Sequence, residues 1–435
     1  MLVRTAFCDI TPRGRPVRLA GYASRPTTTT VLDPIEISAV LLEADGRRCL
    51  IVSFDLMIVG SELQTMIHAG LARHGFKPSE IFLLASHTHF APATDRACAA
   101  LGEPDVPFVE DAAVATEQLV ATMLNQAPVA IRLEVHCGRL DHSINRRRFW
   151  PLPTVSRTYG FRPSCVALAP DPNGATDERA TLILLRRADD DAAVGAIWHY
   201  TCHATAVVPY DVISADFPGT VRRGLRQQFG DMPVIFVQGF CGDISPNRRR
   251  SKRPVSFRDR LRRLARILIA GPTFPPSTPD DWTRWSENLA AAIVRIALAP
   301  PEKSCSPATL ATGAAAVPLG AFFTGSVPDK PLAAQVLTLG RDVELVALSA
   351  EVTVEWEEIL DREAPATGGG LRLYAGYLGA LYGYLPTPDQ IREGGYEVEG
   401  FQPLFGLSGN FDAEKIIPAV VDCVKRAIDD LRSAT

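Results

Sequence analysis

Residues 81–92 read IFLLASHTHFAP, a short apolar run that ends directly at His87 and His89. Apolar runs rich in β-branched and aromatic residues are typical of buried strands, so this one predicts a strand over 81–85. Runs of the same character predict further strands at 49–55, 194–200, 234–238 and 343–349. Apolar residues at helical spacing predict helices at 61–74, 107–125, 218–229, 280–298 and 412–433. The alternation predicts an α/β fold with mixed β-sheets sandwiched between helix layers.

The composition is that of an ordinary globular protein. Of 435 residues, 46% are hydrophobic and 22% charged, and the formal net charge is −4. This excludes a mainly disordered chain and argues against a dedicated nucleic-acid binder, which is usually strongly basic. We expect one domain over residues 1–435, with 307–330 as the best candidate for a connector between its two halves.

Cysteine usage and the N-terminal sequence favour a cytoplasmic protein. The nine cysteines are scattered and never form a CxxC pair, which indicates reduced thiols. The opening MLVRTAFCDITP holds no apolar run of signal-peptide length. No apolar stretch of 18 residues occurs, so we expect no stable insertion into a membrane.

Histidines form two clusters, each at the end of a predicted strand. His87 and His89 stand two apart, and an HxH pair at a strand end can aim both imidazoles at one metal ion. The alternative is a pair of hydrogen-bonded loop histidines. His199 and His203 form the second cluster. We interpret His203, at the end of the run, as the better ligand and His199 as a packing or orienting residue.

Further polar residues also follow apolar strands. The segment 238–247, QGFCGDISPN, displays Asp243 and Ser245 after a tight turn, although an ordinary Gly-Asp turn would look the same. Glu351 follows the run at 343–349 and suits a carboxylate ligand, or alternatively a helix start. Ligands collect at the carboxyl ends of strands in α/β sheets, so these placements favour one shared site.

The segment 248–266 is rich in arginine and places Phe257, Leu261, Leu264 and Leu268 on one helical face. We interpret it as an amphipathic helix with a solvated arginine face. The alternative is a basic patch for phosphate groups or membrane surfaces.

Several ordered motifs resemble those of the neutral, non-lysosomal ceramidase family of zinc-dependent amidohydrolases. The resemblance runs from residue 9 to about residue 400, and its motifs are these: DITP at 9–12 with GY at 21–22, SHTH at 86–89, NR at 145–146, HAT at 203–205, ISAD at 213–216, GDISPN at 242–247, EVT at 351–353, and Tyr384 with Tyr396.

The resemblance implies a ceramidase-like catalytic domain without the family's C-terminal β-sandwich domain, and a zinc site within it. By resemblance the zinc ligands are His87, His203, Glu351 and Tyr384. The residues that line the reacting amide are His89, Arg146, Ser245 and Tyr396. We add Asp243 as the candidate general base. Alternatively, both tyrosine rings merely pack against the wall of the site.

Two further arginines depart from the family pattern. Arg147 and Arg148 follow Arg146 in place of small residues, and we predict that they bind an anionic group of the substrate. The alternative for both is a solvated turn.

The expected activity is zinc-dependent hydrolysis of an amide bond in a small, anionic N-acyl or amide substrate. A metal-activated water attacks esters as readily, so an esterase, lactonase or deacetylase remains an alternative. Two others are a ceramidase proper, acting on N-acylsphingosine, and a binding or regulatory protein that kept the fold and lost catalysis. We expect a small-molecule substrate as partner and no nucleic acid, and we leave a homo-oligomer open.

Overall fold

The largest sheet contains both parallel and antiparallel strand pairs. The structure, a computed structural model, describes residues 1–22, 25–156, 160–248, 257–327 and 330–433. From edge to edge the main sheet runs through Val234–Gln238, Ala193–Tyr200, Arg179–Arg187, Val129–Arg139, Leu2–Asp9, Glu36–Ala44, Arg47–Phe54 and Ile81–Ala85. The short strand Lys303–Cys305 also pairs with Val129–Arg139. The pair at each edge is parallel, and the pairs between them are antiparallel.

A second sheet packs face to face against the main one. Its strands are, in order, Leu310–Val317, Leu332–Leu339, Val343–Leu348 and Leu371–Ala375. Val40 and Phe82 of the main sheet share one buried cluster with Leu337 and Leu345 of the second sheet. The core between the two sheets is therefore formed by side chains from both.

Helices cover the outer faces of the two sheets. They span Ser61–Ala72, Val106–Leu124, Asp216–Phe229, Phe257–Ala270, Pro279–Leu298, Trp356–Glu363, Pro388–Glu393 and Ile416–Ser433. The last of these packs on the second sheet. Trp198 of the main sheet packs with Phe217 and Trp285 of two helices on its other side. The predicted arrangement of mixed sheets between helix layers is confirmed.

Smaller strand pairs complete the fold and build the surroundings of the site. A three-stranded sheet runs through Cys165–Asp171, Ser143–Trp150 and Ile244–Pro246. The two-stranded pairs join Thr154–Ser156 with Gly160–Arg162, Phe323–Ser326 with Ser408–Phe411, Val17–Arg18 with Thr27–Thr28, and Glu351–Val352 with Tyr384–Leu385. The last pair is parallel and sets Glu351 beside Tyr384.

Two predictions about the chain's organisation can be set beside the structure. The interval 307–330, predicted as a connector, contains Leu310–Val317 at the edge of the second sheet and Phe323–Ser326, which pairs with a later strand. In the arginine-rich segment, residues 249–256 lie outside the described part of the chain. The helix Phe257–Ala270 is present, but Leu261, Leu264 and Leu268 are exposed on it rather than packed against the fold.

Two further predictions concern reduced thiols and insertion into a membrane. No disulfide joins the nine cysteines, all of which lie in the described residues. Among the described residues, none of the helices has the length and apolar character that crossing a membrane requires.

Candidate metal centre

Three histidines converge at the carboxyl ends of two strands of the main sheet. His87 and His89 follow Ile81–Ala85, and His203 follows Ala193–Tyr200. One ring nitrogen from each lies within 4.8 Å of the others. The Nε2 atoms of His87 and His89 are 3.1 Å apart. His87 and His203 are buried, so this group forms the inner wall of the site.

Main-chain carbonyls fix which ring nitrogen of two histidines faces the cluster. His87 Nδ1 lies 2.8 Å from the carbonyl oxygen of Met57, and His203 Nδ1 lies 2.6 Å from that of Cys241. A carbonyl oxygen only accepts hydrogen bonds, so Nδ1 of each ring carries the proton. The Nε2 lone pairs of both rings are therefore directed at the centre, the arrangement that orients histidine ligands in metal sites.

Among the described residues, no main-chain carbonyl orients the ring of His89 as it does those of His87 and His203. The Nδ1 of His89 is buried without a hydrogen-bond partner among the described residues, and the main chain of Gly21 lies directly against it. The buried guanidinium of Arg25 donates to the carbonyl oxygen of His89 and so anchors its backbone. The resemblance made His89 a lining residue, whereas the structure places its Nε2 among the atoms that could hold a metal.

Glu351 adds a carboxylate to the histidines. Its Oε2 lies 3.3 Å from His87 Nε2 and 3.5 Å from His203 Nε2. The hydroxyl of Tyr377 donates to the same oxygen at 3.3 Å, and the Tyr377 ring stacks on His87 at a centroid distance of 4.1 Å. His87 and Tyr377 both adopt a positive φ, of 60° and 59°, which is uncommon for such residues and often marks functional sites.

The guanidinium of Arg146 lies next to the cluster. Its Nη1 is 3.4 Å from His203 Nε2, its Nη2 donates to the Tyr384 hydroxyl at 3.0 Å, and its Nε donates to Glu397 at 2.8 Å. Tyr396 is close as well, with its ring 5.5 Å from that of Tyr384 and 5.8 Å from the Arg146 guanidinium carbon. The structure thus brings both predicted tyrosines and Arg146 to the site.

Arg147 and Arg148 do not face the histidine cluster. Arg147 is buried and pairs with Glu397 at 2.9 Å and with Glu393 at 3.1 Å, so carboxylates of the chain already neutralise its charge. Arg148 is exposed and donates to the carbonyl oxygen of Pro170. These contacts do not favour the prediction that this pair binds an anionic substrate group: Arg147 anchors the segment that carries Tyr396, and Arg148 faces solvent.

Asp243 holds the surrounding loops together, and Ser245 lies on a strand beside it. Asp243 is fully buried and accepts hydrogen bonds from the main-chain N–H of Val354 and from the side chains of Asn145 and Gln390. These three donors contact both carboxylate oxygens and give Asp243 a positioning role, and its role as general base stays a prediction. Ser245 lies opposite Ile144 in the three-stranded sheet.

The protonation states suit metal binding. Burial lowers the pKa of His203 to about 4, and nearby Arg146 adds to the effect. Burial and the neighbouring histidines hold the pKa of His89 well below its usual range. Burial of Glu351 opposes ionisation, but contact with His87 and His203 outweighs it and holds the pKa of this carboxyl well below normal. Neutral imidazoles at His89 and His203 beside an ionised Glu351 are in the form that ligates a metal.

The donor atoms also fit a zinc ion by their spacing. Zinc is bound by imidazole nitrogens and carboxylate oxygens about 2.1 Å away, which in a tetrahedral site puts the ligand atoms about 3.4 Å apart. Three of the separations are of this size: His87 to His89 at 3.1 Å, His87 to Glu351 at 3.3 Å and His203 to Glu351 at 3.5 Å, while the three histidine nitrogens all lie within 4.8 Å of one another. The residues present therefore fit the metal that the resemblance implies.

Three residues at the site were not predicted from the sequence: Tyr377, Glu397 and Arg25. Tyr377 belongs to the tyrosine-rich stretch 374–396, which was the available signal. Glu397 directly follows Tyr396, but its partners Arg146 and Arg147 lie about 250 positions earlier in the sequence. His199, by contrast, donates a hydrogen bond from Nε2 to the carbonyl oxygen of Tyr374 at 2.9 Å rather than facing the cluster, in line with its predicted packing or orienting role.

The fold and the site together define an α/β protein with a buried histidine–carboxylate group that could hold a metal ion. The fold matches the crystal structure of neutral ceramidase from Pseudomonas aeruginosa with a TM-score of 0.74 and 16% identity, over 99% of this chain and 74% of that one. It also matches a ceramidase complexed with C2, with a TM-score of 0.69 and 16% identity, over 100% and 75% of the two chains. The predicted resemblance is thereby confirmed for the fold. No family model and no curated protein matches the sequence.

Proposed function

We propose that this chain is a zinc-dependent hydrolase that cleaves the amide bond of a small N-acyl compound. One observation carries the proposal: Nε2 of His87 and of His203, each oriented by a main-chain carbonyl, converge with the carboxylate of Glu351. A merely structural histidine cluster needs no such alignment of lone pairs with a carboxylate. The anionic substrate group expected from Arg147 and Arg148 loses its support, because neither side chain faces the cluster.

The chain's own residues supply the remaining functions. A bound zinc ion would polarise the substrate carbonyl and make a water nucleophilic at neutral pH. Arg146, whose guanidinium lies between His203 and Tyr384, is positioned to donate hydrogen bonds to charge that develops on the carbonyl oxygen. Glu397 holds that guanidinium in place. We retain Tyr384 as a ligand beside the group of three histidines and Glu351, and Tyr396 as a donor to the reacting amide.

A ceramidase activity proper is the second candidate. Both structural neighbours are named as ceramidases. N-acylsphingosine is therefore the first amide to compare with small water-soluble amides, each beside its matched ester.

The test combines metal analysis with that substrate panel. We expect about one zinc per purified chain, loss of hydrolysis after chelation, and recovery on addition of zinc. His87→Ala and His203→Ala should each remove both metal and activity. His74→Ala is the matched control, since this partly exposed histidine pairs with Glu117 away from the cluster.

Two results would contradict the proposal. Full zinc content and turnover in His87→Ala or His203→Ala would show that the site is elsewhere. A folded protein that binds no zinc and gains no activity when zinc is added would favour the binding-protein alternative.

A further inference from the structure

The arginine-rich helix Phe257–Ala270 turns apolar side chains toward solvent. Leu261, Leu264 and Leu268, which share one helical face, are 51%, 53% and 51% exposed. A surface helix normally packs such a face on the core. Within the described residues, this face lacks a partner that would bury it.

A neighbouring hairpin extends the apolar surface. Thr154–Ser156 pairs with Gly160–Arg162, and Val155 stands directly opposite Phe161. The side chains of this pair are 59% and 70% exposed. The arginine-rich helix contacts Thr154–Ser156. We call Leu261, Leu264, Leu268, Val155 and Phe161 the docking surface. Exposed apolar surface of this extent is uncommon on soluble proteins and marks interaction sites.

The charge of the helix indicates which kind of partner the docking surface binds. Its sequence, FRDRLRRLARILIA, holds five arginines and one aspartate, while the whole chain has a net charge of −4. Arg258 and Arg266 are exposed on it. Basic residues flanking an apolar face are typical of helices that lie in the interface of an anionic bilayer. A second copy of the chain would place two such basic helices against each other, which like-charge repulsion disfavours.

We propose that the docking surface binds the headgroup region of an anionic lipid bilayer. The helix would lie in the plane of the interface, with Leu261, Leu264, Leu268 and Phe161 inserted and with Arg258 and Arg266 beside lipid phosphates. Such peripheral binding needs no membrane-spanning helix. It is independent of the proposed hydrolase activity, since none of these residues belongs to the metal centre.

The docking surface also adjoins the segment that carries Tyr396. Arg162, at the end of the hairpin, pairs with Glu399 at 2.7 Å, and Glu399 lies three residues after Tyr396. Docking would therefore bring the metal-centre side of the molecule close to the bilayer.

Co-sedimentation with vesicles tests the proposal. We compare phosphatidylcholine vesicles with vesicles that also contain phosphatidylglycerol, at low and at high salt. Wild-type protein should bind the anionic vesicles, and salt should weaken this binding. The double variant Leu264→Glu/Leu268→Glu should bind at least about tenfold more weakly, because it loses apolar area and adds negative charge.

Controls separate docking from folding and from catalysis. Leu298→Glu replaces an equally exposed helix leucine, 55% exposed, outside the docking surface and should bind like wild type. His87→Ala should also bind vesicles normally, whatever its hydrolase activity. If the double variant does not fold, Val155→Ser/Phe161→Ser takes its place.

Three results would overturn the proposal. They are equal binding to both vesicle types, unchanged binding by the folded double variant, and a stable dimer in solution that the double variant dissociates. The last would show that a second copy of the chain covers this face.

Discussion

Among single residues, Gly21 determines where His89 can sit. A side chain at position 21 would overlap the His89 ring, because the glycine main chain lies against Nδ1. We predict that Gly21→Ala displaces His89 and lowers zinc affinity by about 10- to 100-fold. Competition titration with a zinc chelator measures this.

Gly14→Ala is the matched control for this substitution. Gly14 also has a positive φ, 77° against 102°, but a Cβ there would have nothing within 4 Å. Both variants lose the conformational freedom of glycine, so both should lose some stability. Equal zinc affinities in the two variants would mean that His89 does not contribute to the centre.

Tyr377 supports the metal centre through its hydroxyl. That group donates to Glu351 and lies 3.1 Å from Cys241 Sγ. Tyr377→Phe keeps the ring stacked on His87 but removes the hydrogen bond to the carboxylate. We predict about tenfold weaker zinc binding, the size typical of lost partners behind metal ligands.

The control for this substitution is a second buried tyrosine, Tyr382. Tyr382 is buried, and within the described residues its hydroxyl has no hydrogen-bond partner. Tyr382→Phe should leave zinc affinity unchanged and stability unchanged or slightly higher. If Tyr377→Phe behaves the same way, its hydroxyl does not orient Glu351.

At the scale of secondary-structure elements, Asp243 joins three of them. Its carboxylate accepts hydrogen bonds from Asn145 in Ser143–Trp150, from Gln390 in Pro388–Glu393, and from the loop after Glu351 at Val354. Burial raises the pKa of Asp243 to about 7, nearby Glu397 adds to the effect, and the Val354 hydrogen bond opposes it.

This raised pKa predicts a pH dependence of stability. The carboxyl holds its proton more tightly in the folded state than in the unfolded chain, where its pKa is about 3.9. Its stabilising contribution is therefore complete at low pH and is lost as the pH rises from about 4 through about 7. Asp243→Asn does not titrate, so the unfolding free energy of wild type relative to this variant should fall across that range.

Denaturant unfolding at about pH 5 and about pH 8 measures the difference. Asp189→Asn, which changes an exposed carboxyl in a turn, should show no such trend relative to wild type. A difference between wild type and Asp243→Asn that stays constant or grows with pH would contradict the prediction.

The five strands predicted from the sequence lie close to observed strands, although most strands of the fold were not predicted. Ile81–Ala85 and Val234–Gln238 form over the predicted residues because both lie buried in the layered core, where continuous apolar runs are required. The predicted helix at 412–433 begins only at Ile416, since Asp412 accepts hydrogen bonds from the N–H groups of Glu414 and Lys415.

Side-chain partners distant in sequence could not be predicted in the same way. The sequence shows three adjacent arginines but not which acids pair with them. The carboxylates that neutralise Arg147 belong to residues 393 and 397. Likewise, the sequence identifies an apolar face on Phe257–Ala270, but a helical pattern does not show what lies against that face.

For the whole molecule, the metal centre links segments far apart in the chain. His87 and His203 follow two different strands of the main sheet, while Glu351 follows a strand of the second sheet. A ligand that binds only the folded state raises its stability, by about 2.7 kcal/mol at a hundredfold excess over its Kd. We predict that chelation lowers the melting temperature of the whole chain.

Differential scanning calorimetry with and without chelator measures this shift. Added zinc should restore the original melting temperature. The His87→Ala variant provides the comparison, because it should melt at the same temperature with and without chelator. An equal shift in that variant would place the stabilising metal outside the centre.

The carbonyl groups that orient His87 and His203 belong to the main chain at Met57 and Cys241. Every amino acid carries such a carbonyl, so substitutions at these positions keep the acceptor as long as the loop keeps its path. Evolution is therefore free to vary the residues at 57 and 241 while the histidines stay aligned. Selection would act instead on whatever preserves the course of the two loops, and sequence comparison at these positions would reveal little of the contact.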